Sequence, residues 1–263
     1  MSAARTEYTT QLGAGLGLLA ETQALLELWQ PEMDVTALYQ TALRSGRFPT
    51  ISARRLRNIV VECFAPRYLV NDGLPARLLH TLQPTLVTPA LTQLLLLYTC
   101  RAHLILADFV REVYWERYST GHECLSNTDA QAFVIQAVRD GKTSRHWSEH
   151  TIRNMASYLT GCCADYGLLE RGHKSARTIL PFQLESTVAV YLAYDLHSAG
   201  LGDNAVISHP EWGLFGFDRT AVRDELKRVA RRGDLLLQTA GESLRIEWRY
   251  PSLEELTHVL AQR

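Results

Sequence analysis

The residues best suited to chemistry lie in "WSEHTIRNMASYLTGCCADYGLLERGHKSARTILPF", residues 147–182. Arg153 and Asn154 are side chains that a duplex-reading helix uses, because Arg pairs with the guanine edge and Asn with the adenine edge in the major groove. With His150 and Ser157 they recur at helical spacing, away from a stripe of Ile152, Ala156, Leu159, Cys163 and Tyr166. Lys142, Arg145 and His146 precede this helix, and Arg171, His173, Lys174 and Arg177 follow it. These cations are placed to meet phosphates on either side. Residues 139–177 hold seven Lys or Arg against Asp140, Glu149, Asp165 and Glu170. Glu149, near the helix start, sits badly against a phosphate.

Two other stretches share this charge pattern. Residues 44–67, which include Arg54 and Arg55, carry six arginines against the single acid Glu62. Further on, Arg223, Lys227 and Arg231 recur every four residues, with Arg219, Arg228 and Arg232 nearby. Such a row can track a phosphate backbone, or it is a solvated face neutralised by Asp224 and Glu225. Both readings stay open from sequence.

Signals for catalysis are poor. "GAGLG" has the look of a dinucleotide loop, but no strand precedes it and a helical pattern follows, so close packing or local flexibility is the better reading. There is no P-loop, no G-x-S-x-G and no H-E-x-x-H. Asp108, Glu112 and Glu116 form a carboxylate row without the Glu-x-x-His pairs of diiron bundles, which favours a solvated or salt-bridged face. His122, Glu123 and Cys124 are adjacent and point in different directions, while Cys162 and Cys163 read as helix core. No enzyme activity, cofactor or metal is expected.

The elements that must position these residues follow from capping and periodicity. Asp34 and Ser52 are placed to cap helices in the first half, and Pro66 should disturb the end of the second. Residues 90–119 contain no Gly or Pro and read as one long helix. Thr128 with Gln131 forms a capping-box signature before the stripe Ala130, Phe133, Val134, Ala137 and Val138, which Gly141 ends. Ser148 caps the next helix, and "GLLERGHKSARTILPF" reads as a hairpin whose second strand Pro181 confines to a sheet edge. Helix, link, helix, hairpin is the order of a winged helix-turn-helix. A helix ended by Gly200, a helix capped by Asp218 with inner stripe Val222, Leu226 and Val229, and two strands around Ala240, Gly241 and Glu242 suggest a second such unit, with Leu244, Ile246 and Trp248 inward.

The fold class expected is mainly α: a helical domain at 1–124, a winged-helix-like unit at 125–184, and a second helix-plus-hairpin unit at 185–263. With 263 residues, 46% of them hydrophobic, the chain can bury a real core. A net charge of -1 argues against a histone-like protein, and Lys142, Lys174 and Lys227 are the only lysines among 27 cations. Five scattered cysteines without a C-x-x-C pair, and a start without a signal-peptide pattern, fit a cytoplasmic protein. Arg101 and Asp108 interrupt the most apolar segment, which therefore reads as a buried helix with no membrane role.

Taken together, "GAGLGLLAETQALLELWQP", "ISARRLRNIVVECFAPRYL", "NMASYLTGCCADYGLLER" and "IEWRYPSLEEL" resemble the BrxA family of bacterial BREX phage-defence systems over nearly the whole chain. The resemblance implies a mainly helical cytoplasmic accessory protein that binds double-stranded DNA and supports host methylation and phage exclusion with other BREX components. It carries no catalytic motif. The family's N-terminal part also looks like a bacterial transcription antitermination factor, which keeps RNA as an alternative ligand. A rival reading is a protein-protein adaptor, motivated by the aromatics Trp147, Trp212, Phe215 and Phe217, which such an adaptor would expose.

Overall fold

Asp34, Ser52, Ser126, Ser148, Asp218 and Ser252 each accept a backbone N–H three residues on, and each opens a helix. The caps satisfy donors that the first helical turn leaves without an internal partner. The computed structural model describes residues 7–143, 145–172, 175–240 and 243–262. His173 and Lys174 of the expected hairpin, and Gly241 and Glu242 of the C-terminal turn, lie outside the described residues. The fold is mainly helical, with two small antiparallel sheets. The chain divides into two units, residues 1–77 with 95–182, and residues 78–94 with 183–263.

In the first unit, helices Leu19–Leu28 and Val35–Arg44 are followed by a continuous helical run over 53–68. Within that run Ile59–Phe64 forms a π turn, one residue short of Pro66. Proline in an α-helix collides with the carbonyl four residues back, here that of Glu62, and widening the preceding turn lets the helix reach Tyr68. The expected disturbance therefore falls before Pro66, and the helix continues past it.

The expected single helix over 90–119 is instead two, Thr88–Ala102 and a second over 104–119, bent by 119°. His103, between them, is extended (φ -129°, ψ 90°) and buried. Its N–H still donates to Thr99 O (3.0 Å) and Cys100 O (3.2 Å), and its carbonyl accepts from Leu106 N (3.0 Å). One extended residue thus closes the first helix and starts the second without leaving backbone groups unpaired. A straight helix of this length would run ~45 Å. The bend lets residues 94–98 and 105–107 all be buried. No single helix among the described residues is long and apolar enough to cross a membrane.

After this bend come strand Cys124–Ser126, helix Asn127–Arg139, a link, helix Glu149–Asp165 and an arm whose strand is Ala176–Thr178. The capping box that opens Asn127–Arg139 is Ser126 with Asp129, two residues before the expected Thr128 and Gln131. Ser126 is also the last residue of the strand, so sheet and helix meet at one side chain. Leu125 pairs with Arg177 across the sheet. On the other edge of the same arm, Glu170 N donates to Thr178 O (2.8 Å) and Leu180 N to Leu168 O (3.0 Å). The 168–180 hairpin therefore exists, and the 175–180 arm also pairs with a segment preceding both helices.

In the second unit, helix Ser186–Ser198 is buried on most of its surface. Gln93 closes the segment before it, donating to Gln183 O (2.8 Å) and accepting from Glu185 N (3.0 Å). Helix Asp203–Ile207, a 3-10 turn at Pro210–Phe215, helix Arg219–Ala230, the Leu235–Ala240 and Ser243–Trp248 strands, and helix Leu253–Leu260 follow. Val222, Leu226 and Val229 form the buried stripe expected. Leu244 and Ile246 point inward, and Trp248 stacks on His197 at 4.1 Å. The aromatics expected to be exposed are not: Trp147 is 3% exposed, Trp212 and Phe215 1% each, and Phe217 is half-buried. Trp147 is buried within the first unit, Trp212 and Phe215 within the second, and Trp212 Nε1 donates to Val206 O (2.8 Å).

Candidate nucleic-acid interface

Helix Glu149–Asp165 separates its side chains cleanly by face. Met155, Ala156, Leu159, Cys162 and Cys163 are buried, and Thr160 Oγ1 donates to Asn127 Oδ1 (2.7 Å), joining this helix to Asn127–Arg139. Ala156, Leu159, Cys163 and Tyr166 of the expected stripe are buried, and Ile152 is half-buried. Burial pushes the Cys162 thiol up to about 12 and the Cys163 thiol well above its ordinary value. Both side chains are packed in the helix core, as their place in the sequence pattern indicated. Among the described residues no three His, Cys, Asp or Glu side chains are placed to hold a metal ion.

On the outer face His150, Arg153 and Ser157 are exposed and Asn154 is half-buried. The amide of Asn154 lies 3.0 Å from His150 Nε2. Arg153 Nη1 approaches Glu149 Oε2 at 3.9 Å, with side chains 60% and 92% exposed. An ion pair so open to water contributes little to stability. Beside this face lies a cleft of about 310 Å³, lined by Thr10, Gly13, Arg145, Thr151, Asn154, Met155 and Tyr158. Arg145 and Asn154 are thus brought together, one from the link and one from the helix. Sequence reasoning missed Thr151 and Tyr158, although their spacing, three residues before Asn154 and four after it, was the signal for them. Thr10 and Gly13 arrive only through the tertiary fold.

The N-terminal segment that closes this cleft is the "GAGLG" stretch. A Cβ on Gly13 would lie 2.6 Å from the Tyr158 ring, one on Gly15 2.9 Å from Cys63 Sγ, and one on Gly17 2.4 Å from Asp165 Cβ. Asp165 Oδ2 accepts from Gly17 N (2.9 Å), and buried Arg67 donates to Leu16 O (2.9 Å) and Gly15 O (2.5 Å). The glycines serve close packing, and the segment is pinned to the helix it flanks.

The other expected contact residues are dispersed. Lys142 is half-buried, its ammonium 5.7 Å from the Tyr8 ring centroid. Arg171 is exposed and donates to Asp165 O (3.4 Å) at the opposite end of the helix. Half-buried Arg177 donates to Glu170 O (3.2 Å), so part of its guanidinium holds the hairpin. Arg54 and Arg55 are exposed on the 53–68 helix, and Arg55 donates to Ala14 O (2.5 Å). Arg223 is half-buried, Arg231 exposed, and Lys227 Nζ donates to Asp224 Oδ1 (2.8 Å), all in the second unit. Lys174 lies outside the described residues. Asp108, one member of the expected carboxylate row, accepts from Tyr8 Oη (2.7 Å) and pairs with Arg111 at 3.8 Å.

Comparison with solved structures places the fold beside an uncharacterized protein from Magnetospirillum magneticum. The two share 15% identity at a TM-score of 0.57, covering 73% of this chain and 94% of the other. At that identity the likeness concerns fold alone. A comparison with curated protein sequences finds no match. The BrxA family model matches residues 6–195, and the chain belongs to the BrxA family of BREX systems. That membership associates the chain with antiviral defence and suggests other BREX components as its partners.

Proposed function

We propose that this chain is a non-enzymatic, cytoplasmic accessory protein of a BREX system that binds double-stranded DNA and supports host methylation and phage exclusion. The observation that carries the proposal is the outer face of Glu149–Asp165, where His150, Arg153, Asn154 and Ser157 lie beside the Arg145 cleft. We read the strand, helix, link, helix and hairpin order around it as a winged helix-turn-helix, with this helix entering the major groove. Arg145, Lys142 and Arg171 then neutralise phosphates, while Arg153 and Asn154 reach base edges. The adaptor reading no longer has the exposed aromatics that motivated it.

The test is binding of a labelled duplex by the wild-type chain and by Arg153→Ala with Asn154→Ala. The double variant should weaken binding by about 1–3 kcal/mol for each base edge it no longer reads. An A-form RNA duplex should compete poorly, because side chains do not read its deep, narrow major groove. Unchanged affinity in the double variant, or equal competition by RNA, would overturn the assignment.

A further inference from the structure

We infer that helix Arg219–Ala230 and its following turn form a second duplex-DNA head, independent of the face on Glu149–Asp165. Residues 218–232 carry Arg219, Arg223, Lys227, Arg228, Arg231 and Arg232 against Asp218, Asp224 and Glu225. All three acids have structural partners. Asp218 caps the helix through Ala221 N (2.8 Å), Asp224 holds Lys227, and Glu225 is 8% exposed and takes two bonds from Arg228. The three acids are thus held by the helix itself, while six cations share its surface. Arg219, Arg231 and Arg232 are exposed, and Arg219 donates to Asn204 Oδ1 (3.3 Å).

The inner stripe of Val222, Leu226 and Val229 is fully buried, so the opposite face carrying Thr220, Lys227 and Arg231 turns to solvent. From Arg223 to Arg231 is ~12 Å of helix axis. One strand of B-DNA presents about three to four phosphates over that distance. A hairpin follows the helix directly, with Arg245 exposed on its outer face. Helix Asp203–Ile207, helix Arg219–Ala230 and this hairpin repeat the helix, helix, hairpin order of the first unit. Charge complementarity in that arrangement favours the phosphate backbone of a duplex as occupant. The family match stops at residue 195, so this head lies wholly outside the matched residues.

The experiment uses the full chain and a labelled duplex, with affinity measured across a salt series. The triple variant Lys227→Gln, Arg231→Gln, Arg232→Gln should lower the log-log salt slope by about 0.9 for each phosphate it no longer neutralises. Asp224→Asn, which releases Lys227, should tighten binding. Arg145→Gln with Arg171→Gln is the parallel test of the first face, and a smaller slope in both variants supports both heads. A smaller slope in the triple variant but not in the double one supports the second head and overturns the first. The converse supports the first and overturns the second, and unchanged slopes in both overturn both. Thermal melts of the same variants keep folding separate from binding, since all the altered side chains are exposed. Looser or unchanged binding by Asp224→Asn would also overturn the second head.

Discussion

At the residue scale the decisive side chains are small or hidden. Gly17 faces Asp165 so closely that a methyl group there forces one of the two segments to move. We predict that Gly17→Ala destabilises the fold by about 1–3 kcal/mol, typical of overpacking, read as a lowered urea midpoint at unchanged m-value. A midpoint equal to wild type would refute the close packing. Arg67→Ala should cost about 1–3 kcal/mol for each of the two carbonyls it satisfies, at Gly15 and Leu16. From sequence, "GAGLG" admits packing or flexibility equally, because the partners that need glycine lie about 50 and 150 positions away. The shared outer face of Arg153 and Asn154 was legible because their neighbours on the helix surface are set by local period alone. Trp147, Trp212 and Phe215 were misread for the converse reason: an aromatic in a polar stretch does not reveal which distant core it fills.

At the element scale, local rules marked helix starts wherever a single cap was present. Asp34, Ser52, Ser148 and Asp218 all cap as expected, and Gly200 ends its helix. The rule slipped by two residues at Thr128, because strand Cys124–Ser126 pairs with a segment about 50 positions on and delivers Ser126 to the helix start. The bend at His103 was illegible, since it comes from burying both halves rather than from a breaker residue. Ser126→Ala should cost about 1 kcal/mol, measured by chemical denaturation, as it removes one half of a capping box. The inner face of Glu149–Asp165 also sets an alkaline limit. Cys162 and Cys163 stay protonated in the fold far above the value an unfolded thiol takes, so the unfolded chain gains from ionising them first. Stability should be level up to about pH 8 and fall between about pH 9 and 11, by up to ~1.4 kcal/mol per pH unit for each thiol. An unfolding midpoint that holds steady to about pH 11 would contradict that burial.

At the scale of the whole molecule, a net charge of -1 coexists with cationic stretches at 44–67, 139–177 and 218–232. Acids elsewhere keep the total near zero, so the local fields, rather than the sum, govern association with a polyanion. The direct measurement is the affinity of the wild-type chain for a short duplex by fluorescence anisotropy between about 50 and 200 mM salt. Phosphate contact by Arg145, Lys142 and Arg171 predicts a slope of about -3 in log affinity against log salt, steeper by ~0.9 for each phosphate the second head adds, with tight binding at the low end. Absent binding at the low end of that range, or an affinity indifferent to salt, would contradict the claim that this chain holds duplex DNA.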